Sequence, residues 1–247
     1  MNTLAISDRL QELLRPSTRV AVLTGAGVSA ESGVPTFRSP GGLWEKFKPE
    51  ELATFDAFMA NPKLVWEWYN YRRELMSTVA PNPGHQALAA WEKFFANFAL
   101  ITQNVDGLHR RAGSTKIFEL HGNIRKNKCA SCGRPGEMPE IFDPNNIPRC
   151  GCGGMLRPDV VWFGELLPAD VLEEAWAKAE GCELFFSVGT SSLVQPAASL
   201  PLLAKRHGAY VVEVNPEPTA LSDLFDEVLC GPSGVVLPRV TERFLDE

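Results

Sequence analysis

The chain has 247 residues, of which 45% are hydrophobic and 22% charged, a balance typical of one large globular domain or of a domain carrying a smaller inserted module. Its formal net charge of −6 argues against nucleic acid as the main partner, because proteins that grip phosphate backbones are usually basic. No run of about 18 apolar residues occurs, and the N-terminal stretch lacks the basic start and apolar block of a signal peptide. We therefore expect no membrane association and a cytoplasmic location. The oligomeric state is left open, and a monomer is compatible with the sequence.

Short apolar runs of strand type alternate along the chain with stretches of helical period. The predicted strands are residues 19–24, 98–102, 116–120, 184–188, 210–214 and 227–229. The predicted helices are the two chain ends and residues 64–79, 85–95, 169–179 and 199–207. Apolar strands separated by helices predict an α/β fold, a Rossmann-like parallel sheet with helices on both faces. Such a sheet places its ligands at the carboxyl ends of its strands.

The first predicted strand runs into a glycine turn, Gly25-Ala26-Gly27, within the sequence TGAGVSA. The pattern G-x-G-x-x-A after a strand lets backbone N–H groups approach a pyrophosphate, although a plain strand-to-helix turn has the same pattern. Gly33 and Pro35 would cut the following helix short, and no acidic residue ends a second strand about 20 residues on. A glycine-rich loop, TFRSPGGLW, follows instead and is typical of an active-site lid. A hydride-transfer enzyme is therefore not the natural interpretation.

Polar residues follow the next two predicted strands. Gln103, Asn104 and Asp106 come after the second strand, and His121 comes just after the third. An amide beside a carboxylate offers the donor and the acceptor that a carboxamide ligand needs, while a polar turn that caps a helix would use the same residues. An imidazole with an ordinary pKa of about 6.5 can accept and return a proton near neutral pH. A purely structural histidine is the alternative at this position.

Four of the six cysteines are clustered in a segment without helical or strand period. The spacing is Cys129-x-x-Cys132, then 17 residues, then Cys150-x-Cys152. Four thiolates at this spacing predict a tetrahedral zinc site that is structural, because no coordination position stays open; four free thiols in a loop are the alternative. The second pair is tighter than the commoner C-x-x-C.

The predicted helix at residues 64–79 carries a charge on its apolar face. Arg72 lies in the stripe formed by residues such as Val65, Trp68 and Leu75. A buried guanidinium needs an anionic partner, and Tyr69, one turn earlier, adds a hydroxyl donor on the same side. The pair suits a ligand carboxylate. From the helix alone, an ion pair with an Asp or Glu of the protein is the favoured interpretation.

Six motifs in order resemble the sirtuins, which are NAD-dependent protein-lysine deacylases. The motifs are GAGVSAESGVPTFR, TQNVDGLH, ELHGNI, LRPDVVWFGE, SVGTSSLVQPA and VEVNPE, with the cysteine pairs between the third and the fourth. The resemblance covers nearly the whole chain. It implies NAD as a consumed co-substrate, one structural zinc and acylated lysine side chains of proteins as substrates. It also implies a discontinuous NAD-binding domain (residues 1–34, 80–121 and 161–247), a helical insert with the cofactor loop and acyl-pocket helix (35–79) and a zinc-binding module (122–160).

The resemblance assigns roles to individual residues. His121, Asn104 and Asp106 would be catalytic, with His121 acting as the base toward a ribose hydroxyl after the acyl oxygen has displaced nicotinamide. The products would be free lysine, nicotinamide and O-acyl-ADP-ribose. The residues that would bind NAD are Gly25, Ala26, Gly27, Ser29, Ala30, Thr36, Phe37, Arg38, Trp44, Gln103, Asn104, Asp106, Gly189, Thr190, Ser191, Asn215 and Ser233.

The acyl group is expected to be acidic. Tyr69-x-x-Arg72 resembles the pair that marks the sirtuin branch acting on succinyl and malonyl lysine, and Thr36 replaces the acidic residue more usual in acetyl-preferring groups. Val161 and Phe163 would line the lysine tunnel. A plain deacetylase, a mono-ADP-ribosyltransferase on the same scaffold and an NAD-sensing module without catalysis are the alternatives, the last disfavoured by the intact His121.

Overall fold

The computed structural model describes residues 5–37, 42–43, 48–137, 143 and 145–245. Its main sheet has six strands, all parallel, and a smaller sheet has two antiparallel strands. The strands are β1 (Arg19–Thr24), β2 (Asn97–Thr102), β3 (Ile117–Glu119), β4 (Gly122–Cys129), β5 (Leu156–Val160), β6 (Leu184–Val188), β7 (Tyr210–Asn215) and β8 (Glu227–Cys230). The large sheet has the order β3-β2-β1-β6-β7-β8, so its connections change direction between β1 and β6.

Helices connect the strands. Numbered within the described residues, they are α1 (Asp8–Leu13), α2 (Pro49–Leu52), α3 (Phe55–Ala60), α4 (Pro62–Thr78), α5 (Pro83–Phe94), α6 (Leu108–Arg111), α7 (Ala169–Gly181), α8 (Leu200–Arg206) and α9 (Ser233–Leu245). Short 3₁₀ helices cover Ala26–Ser32, Ala197–Ser199 and Ser222–Leu224.

The predicted parallel sheet with helices between its strands is confirmed. All six predicted strands are present, within one or two residues of their expected ends, and all lie in the large sheet. The chain after the glycine turn forms a short 3₁₀ helix rather than a long α-helix and ends at Gly33, whose φ of 87° is left-handed. The sequence did not predict β4, β5 or the short helices α2, α3 and α6, because none of them has a hydrophobic period long enough to detect.

The sheet is buried on both faces. One apolar layer packs strand residues against α1, α5 and α9, and Trp91 of α5 lies with its ring centroid 4.8 Å from that of Phe186 in β6. A second layer covers the opposite face with α7 and α8. Both faces being covered explains why the strands have near-continuous apolar runs rather than alternation.

A third apolar cluster lies outside these two layers. It joins α3 and α4 with β5 and centres on buried residues such as Phe58, Trp66 and Trp162. The antiparallel pair β4·β5 flanks the cysteine segment. The limits of the three segments expected from the sequence stay predictions. Among the described residues, no helix has the length and apolar character needed to cross a membrane.

Candidate active site

The glycine turn after β1 packs against the turn after β6. The N–H of Gly27 donates to the carbonyl oxygen of Gly189 over 2.8 Å, and the N–H of Gly25 donates to that of Val188 over 3.0 Å. A Cβ on Gly27 would lie 2.7 Å from the Gly189 Cα, and one on Gly189 would lie 2.4 Å from the Val28 nitrogen. At these glycines the absence of a side chain allows a close approach between two stretches of backbone, and their role toward a pyrophosphate stays a prediction. The contact between the two turns joins the predicted cofactor-binding motifs after β1 and β6, at the point where the strand order changes direction.

Asn104 and Asp106, which follow β2, are held by the same turn. The side-chain amide of Asn104 donates to the carbonyl oxygen of Gly25 over 3.0 Å and to the Ser29 hydroxyl over 3.2 Å. Ser29 in turn donates to Asp106 over 2.8 Å. Asp106 also accepts from the Leu108 N–H over 2.8 Å, and burial raises the pKa of its carboxyl. These contacts fix both side chains before any ligand arrives.

Two buried histidines support this arrangement, and the sequence analysis did not single them out. The N–H of Asn82 donates to Nδ1 of His85, so the His85 proton is on Nε2, which lies 3.3 Å from the Ser29 hydroxyl. The rings of His85 and His109 lie 4.8 Å apart. Burial lowers the pKa of His85 to about 4, and burial together with His85 lowers that of His109 well below its ordinary value.

His109 reaches the ends of two strands. The hydroxyl of Thr24 donates to that of Thr102 over 2.8 Å, so Nε2 of His109, 2.9 Å from Thr24, is the donor in that contact. The Thr102 oxygen also accepts from the N–H of Asn104 over 3.0 Å. His109 lies within the motif TQNVDGLH, so the sequence marked this segment as functional. Nothing in the sequence shows that the His109 side chain points toward β1.

His121 lies directly beyond β3 with one ring nitrogen fixed. Its Nδ1 is 2.9 Å from the carbonyl oxygen of Gln103. A carbonyl can only accept, so Nδ1 carries the proton and Nε2 keeps a lone pair. Burial lowers the pKa of His121, so the neutral imidazole prevails at neutral pH. The geometry can therefore supply a base at Nε2.

Predicted cofactor residues also follow the later strands of the large sheet. The side-chain amide of Asn215, at the end of β7, donates to the Thr190 carbonyl oxygen over 3.0 Å. Ser233 is buried at the start of α9, where its hydroxyl donates to Glu31 over 3.4 Å. Ser191 and Ala30 are exposed. Ala26 and Thr36 are half-buried, and Arg38 and Trp44 lie outside the described residues.

The guanidinium of Arg72 lies among aromatic rings. Its Cζ is 4.8 Å from the Trp68 ring centroid, 5.1 Å from that of Phe37 and 5.9 Å from that of Tyr69. Only 5% of the residue is exposed, and burial lowers its pKa. No ion pair within 4.0 Å forms between Arg72 and a carboxylate of the described residues. Within the described part of the chain, Arg72 therefore does not form the ion pair with a protein carboxylate that was the alternative. Phe37, a predicted cofactor residue, contacts Arg72, and its role toward NAD stays a prediction.

A second buried arginine, Arg157, does have an anionic partner within the protein. Arg157 is 2% exposed and pairs with Glu165, whose carboxylate accepts from Nη2 over 2.9 Å. Its guanidinium carbon lies 3.3 Å from the Trp162 ring centroid. The indole N–H of Trp162 then donates to the hydroxyl oxygen of Tyr69 over 2.8 Å. Desolvation raises the pKa of Tyr69, which keeps its hydroxyl protonated and able to donate.

The predicted lysine-tunnel residues lie between these two regions. The N–H of Val161 donates to the carbonyl oxygen of His121 over 2.9 Å, which links the candidate base to the segment after β5. Phe163 is exposed, and its N–H donates to the Ala53 carbonyl oxygen over 2.9 Å. The N–H of Glu165 donates to the carbonyl oxygen of Trp162 over 3.0 Å, which closes the turn after Phe163.

The four clustered cysteines converge as expected. Their sulfur atoms all lie within 4.8 Å of one another. The Cys129–Cys152, Cys132–Cys152 and Cys132–Cys150 sulfur distances are 3.5, 3.5 and 3.8 Å. Zn–S bonds of about 2.3 Å in a tetrahedron require sulfur separations of about 3.8 Å, so the set fits zinc. The tight Cys150-x-Cys152 spacing is accommodated by a turn in which the N–H of Gly153 donates to the Cys150 carbonyl oxygen over 2.8 Å.

Comparison with known proteins identifies the family. The model of the Sir2 family matches residues 25–196, a span that contains the glycine turn, His121 and the four cysteines. The chain belongs to the Sir2 family. The predicted relationship to the sirtuins is therefore confirmed.

Relatives of this Sir2 protein support the assignment along most of its length. An NAD-dependent protein deacylase of Aquifex aeolicus is 56% identical over 208 residues, which are 84% of this chain and 87% of the relative. A Sir2 homologue in complex with NAD has 42% identity and a TM-score of 0.90, covering 100% of this chain and 96% of that one. A Sir2 structure with a p53 peptide and NAD+ has 33% identity and a TM-score of 0.83, with 95% and 97% covered.

Proposed function

We propose that this Sir2 protein removes succinyl and malonyl groups from protein lysine, with acetyl as a poorer substrate. The coarser part of this statement follows from the family: the chain is an NAD-dependent protein deacylase. The preference for an acyl group that ends in a carboxylate is our own inference. It would give free lysine, nicotinamide and the corresponding O-acyl-ADP-ribose.

The preference is carried by Arg72. A buried guanidinium without an anionic partner is costly, and the chain provides such a partner for Arg157 but, among the described residues, not for Arg72. The rings of Phe37, Trp68 and Tyr69 exclude water from the guanidinium while leaving its N–H donors to a ligand. A terminal carboxylate on the acyl chain would supply the missing partner through a charge-assisted pair, with Tyr69 as an additional donor.

The acyl pocket and the NAD-binding residues are electrostatically connected. Burial raises the pKa of the Asp106 carboxyl, and the charge of Arg72 partly opposes that rise. Burial likewise lowers the pKa of Arg72, and the charge of Asp106 partly opposes that fall. We place the nicotinamide carboxamide near Asn104 and Asp106, which the Ser29 network holds rigid. Gly189, Thr190 and Asn215 would then hold the phosphates and adenosine along the edge of the sheet, with Ser233 near adenine. Arg38 and Trp44 keep their predicted NAD roles.

In the proposed mechanism this chain positions the reactants and moves one proton. Bound NAD would supply an electrophilic ribose carbon, and its bond to nicotinamide would break as the acyl oxygen bonds to that carbon. His121, with Nδ1 fixed by Gln103, would accept the proton of a ribose hydroxyl at Nε2 and so activate that oxygen toward the acyl carbon. The link from the Val161 N–H to the His121 carbonyl oxygen keeps the base next to the segment that would hold the lysine.

The zinc site is assigned a structural role. Four thiolates complete a tetrahedral shell and leave no position for a substrate or for an activated water molecule. Cys129 ends β4 and Cys150 precedes β5, so the metal would tie the loop between them to the small antiparallel sheet.

Product analysis on matched peptides tests the proposal. Equal concentrations of acetyl-, succinyl- and malonyl-lysine peptides of one sequence are incubated with NAD and the protein, and nicotinamide, deacylated peptide and O-acyl-ADP-ribose are followed by mass spectrometry. We expect the highest kcat/KM for the acidic acyl chains. Equal or faster turnover of the acetyl peptide would identify a plain deacetylase. Transfer of ADP-ribose to protein without deacylation would identify a mono-ADP-ribosyltransferase.

A further inference from the structure

The hydrogen bond between Trp162 and Tyr69 determines what the tyrosine can do. The Trp162 indole donates to the Tyr69 oxygen over 2.8 Å, and both residues are almost fully buried. An indole N–H can only donate, so Tyr69 is the acceptor in this contact. Among the described residues, no hydrogen bond uses the hydroxyl proton of Tyr69. The remaining capacity of the Tyr69 hydroxyl is therefore that of a donor.

The indole is held so that its N–H stays on Tyr69. The Arg157 guanidinium stacks on its ring at 3.3 Å from the centroid, and the backbone N–H of Trp162 donates to the Glu165 carboxylate over 2.8 Å. The same carboxylate neutralises Arg157, so the stacked cation is fixed as well. Neither the plane nor the position of the indole can change without breaking this set of contacts.

The alternative partner of the Tyr69 oxygen is Arg72. The two residues lie one turn apart on α4, and the guanidinium carbon is 5.9 Å from the tyrosine ring centroid. An oxygen without a donor could accept from the guanidinium, and Arg72 would then be partly satisfied within the protein. The bond from Trp162 competes with that internal pairing and keeps both donors directed at the pocket.

We infer that Trp162 is a specificity-determining residue, whose indole N–H makes Tyr69 donate to a carboxylate on the acyl group. This inference rests on the proposed preference for acidic acyl chains. An acetyl group has no carboxylate to accept from Tyr69, so the effect of Trp162 on acetyl-lysine is confined to packing. The two acyl chains therefore separate the hydrogen bond from the structural role of the ring.

The test compares Trp162→Phe with Trp162→His. Phe keeps a ring without the N–H, whereas His places its Nε2 where the indole nitrogen was. We expect Trp162→Phe to lower the ratio of succinyl to acetyl kcat/KM about 10-fold, mainly through KM for the succinyl peptide, as expected for a bond to a charged group. Trp162→His should keep more of the ratio than Trp162→Phe despite its smaller ring.

Two further variants complete the experiment. Trp91→Phe removes another indole bond, 2.7 Å to Thr241, in a different apolar cluster, and should leave the ratio unchanged. Tyr69→Phe should lower the ratio about as much as Trp162→Phe, and the double variant should lower it no further. The ratio is read within each variant, so a loss of stability common to both peptides does not affect it.

The outcomes separate the two proposals. If the wild type prefers the succinyl peptide and Trp162→Phe keeps that preference, or if the effects of Trp162→Phe and Tyr69→Phe multiply, the role of Trp162 is overturned while the proposed function stands. If the wild type shows no succinyl preference, the proposed function fails first and the role of Trp162 fails with it.

Discussion

The Nδ1 atom of His121 lies 2.9 Å from the main-chain oxygen of Gln103, the first residue after β2. This contact assigns the proton to Nδ1 and leaves Nε2 as the base. Burial lowers the pKa of His121 below its ordinary value of 6.5, which places the protonated, inactive form at more acidic pH. We expect the acidic limb of kcat/KM to have its midpoint below pH 6.5 and the rate to be flat above it. Rates measured from about pH 5 to pH 9 on one peptide check this.

His121→Tyr should lose activity on every acyl chain by roughly 10²- to 10⁴-fold, the range expected for loss of a general base. The loss should be equal for acetyl and succinyl peptides, because the base acts on a group of NAD rather than on the acyl terminus. Formation of deacylated peptide over many turnovers is the measurement, because nicotinamide would leave before His121 acts. A variant that still deacylates acetyl-lysine at the wild-type rate would remove His121 from the mechanism.

Arg72→Met should lower succinyl kcat/KM by roughly 10- to 100-fold, the value of a charge-assisted pair, with a much smaller effect on the acetyl peptide. Arg73 provides a matched control on the same helix. Its guanidinium donates to the Ile124 carbonyl oxygen over 2.7 Å and to Asn127, and so is used within the protein. Arg73→Met should change both peptides alike. Equal losses for both peptides in Arg72→Met would contradict the carboxylate pocket.

Zinc removal should destabilise the segment between β4 and β5. We expect a strong chelator to lower the melting temperature by about 10 °C, as a loss of about 3 kcal/mol would in a chain of this size. Cys129→Ser should have a similar effect without chelator. Cys230→Ser, at an exposed cysteine outside the cluster, is the control and should melt like the wild type. Metal analysis of the purified protein should give one zinc per chain.

The buried His85 is expected to make the free energy of unfolding decrease at acidic pH. Its pKa is about 4 in the folded protein and about 6.5 when unfolded, so between these values the unfolded state binds more protons. The stabilising effect of the neutral ring is complete above pH 6.5 and is lost as the pH falls to 4, in total about 3 kcal/mol. His85→Gln should flatten the melting temperature across this window, whereas His207→Gln, at an exposed position, should not. Parallel curves for wild type and His85→Gln would contradict this assignment.

The parts of the fold that were predicted correctly have strong local patterns. Four of the strands are apolar runs of five or six residues, as expected for the central part of a sheet that is buried on both faces. The parallel sheet then puts Gly25, Asn104 and His121 at one edge whatever the details of packing. The cysteine cluster likewise follows from spacing alone.

The missed parts depend on contacts between segments far apart in the chain. The sequence shows that Trp162 follows two valines, but not that its N–H points at Tyr69, 93 positions away. His85 and Asp106 share the Ser29 hydroxyl only after α5 and β2 have packed on the turn. The contact between Gly27 and Gly189 was not predicted, because local sequence cannot show that the end of β6 comes this close.

Arg72 has a consequence for the balance between activity and stability. A guanidinium buried among three rings without an anion lowers the stability of the unliganded protein, and a hydrophobic side chain at this position would avoid that cost. The residue to which we assign the selectivity of the pocket is thus expected to make the unliganded chain less stable than it could be. Arg72→Met should therefore melt at a higher temperature than the wild type. Under the proposed function, the arginine serves substrate binding at the expense of the stability of the fold.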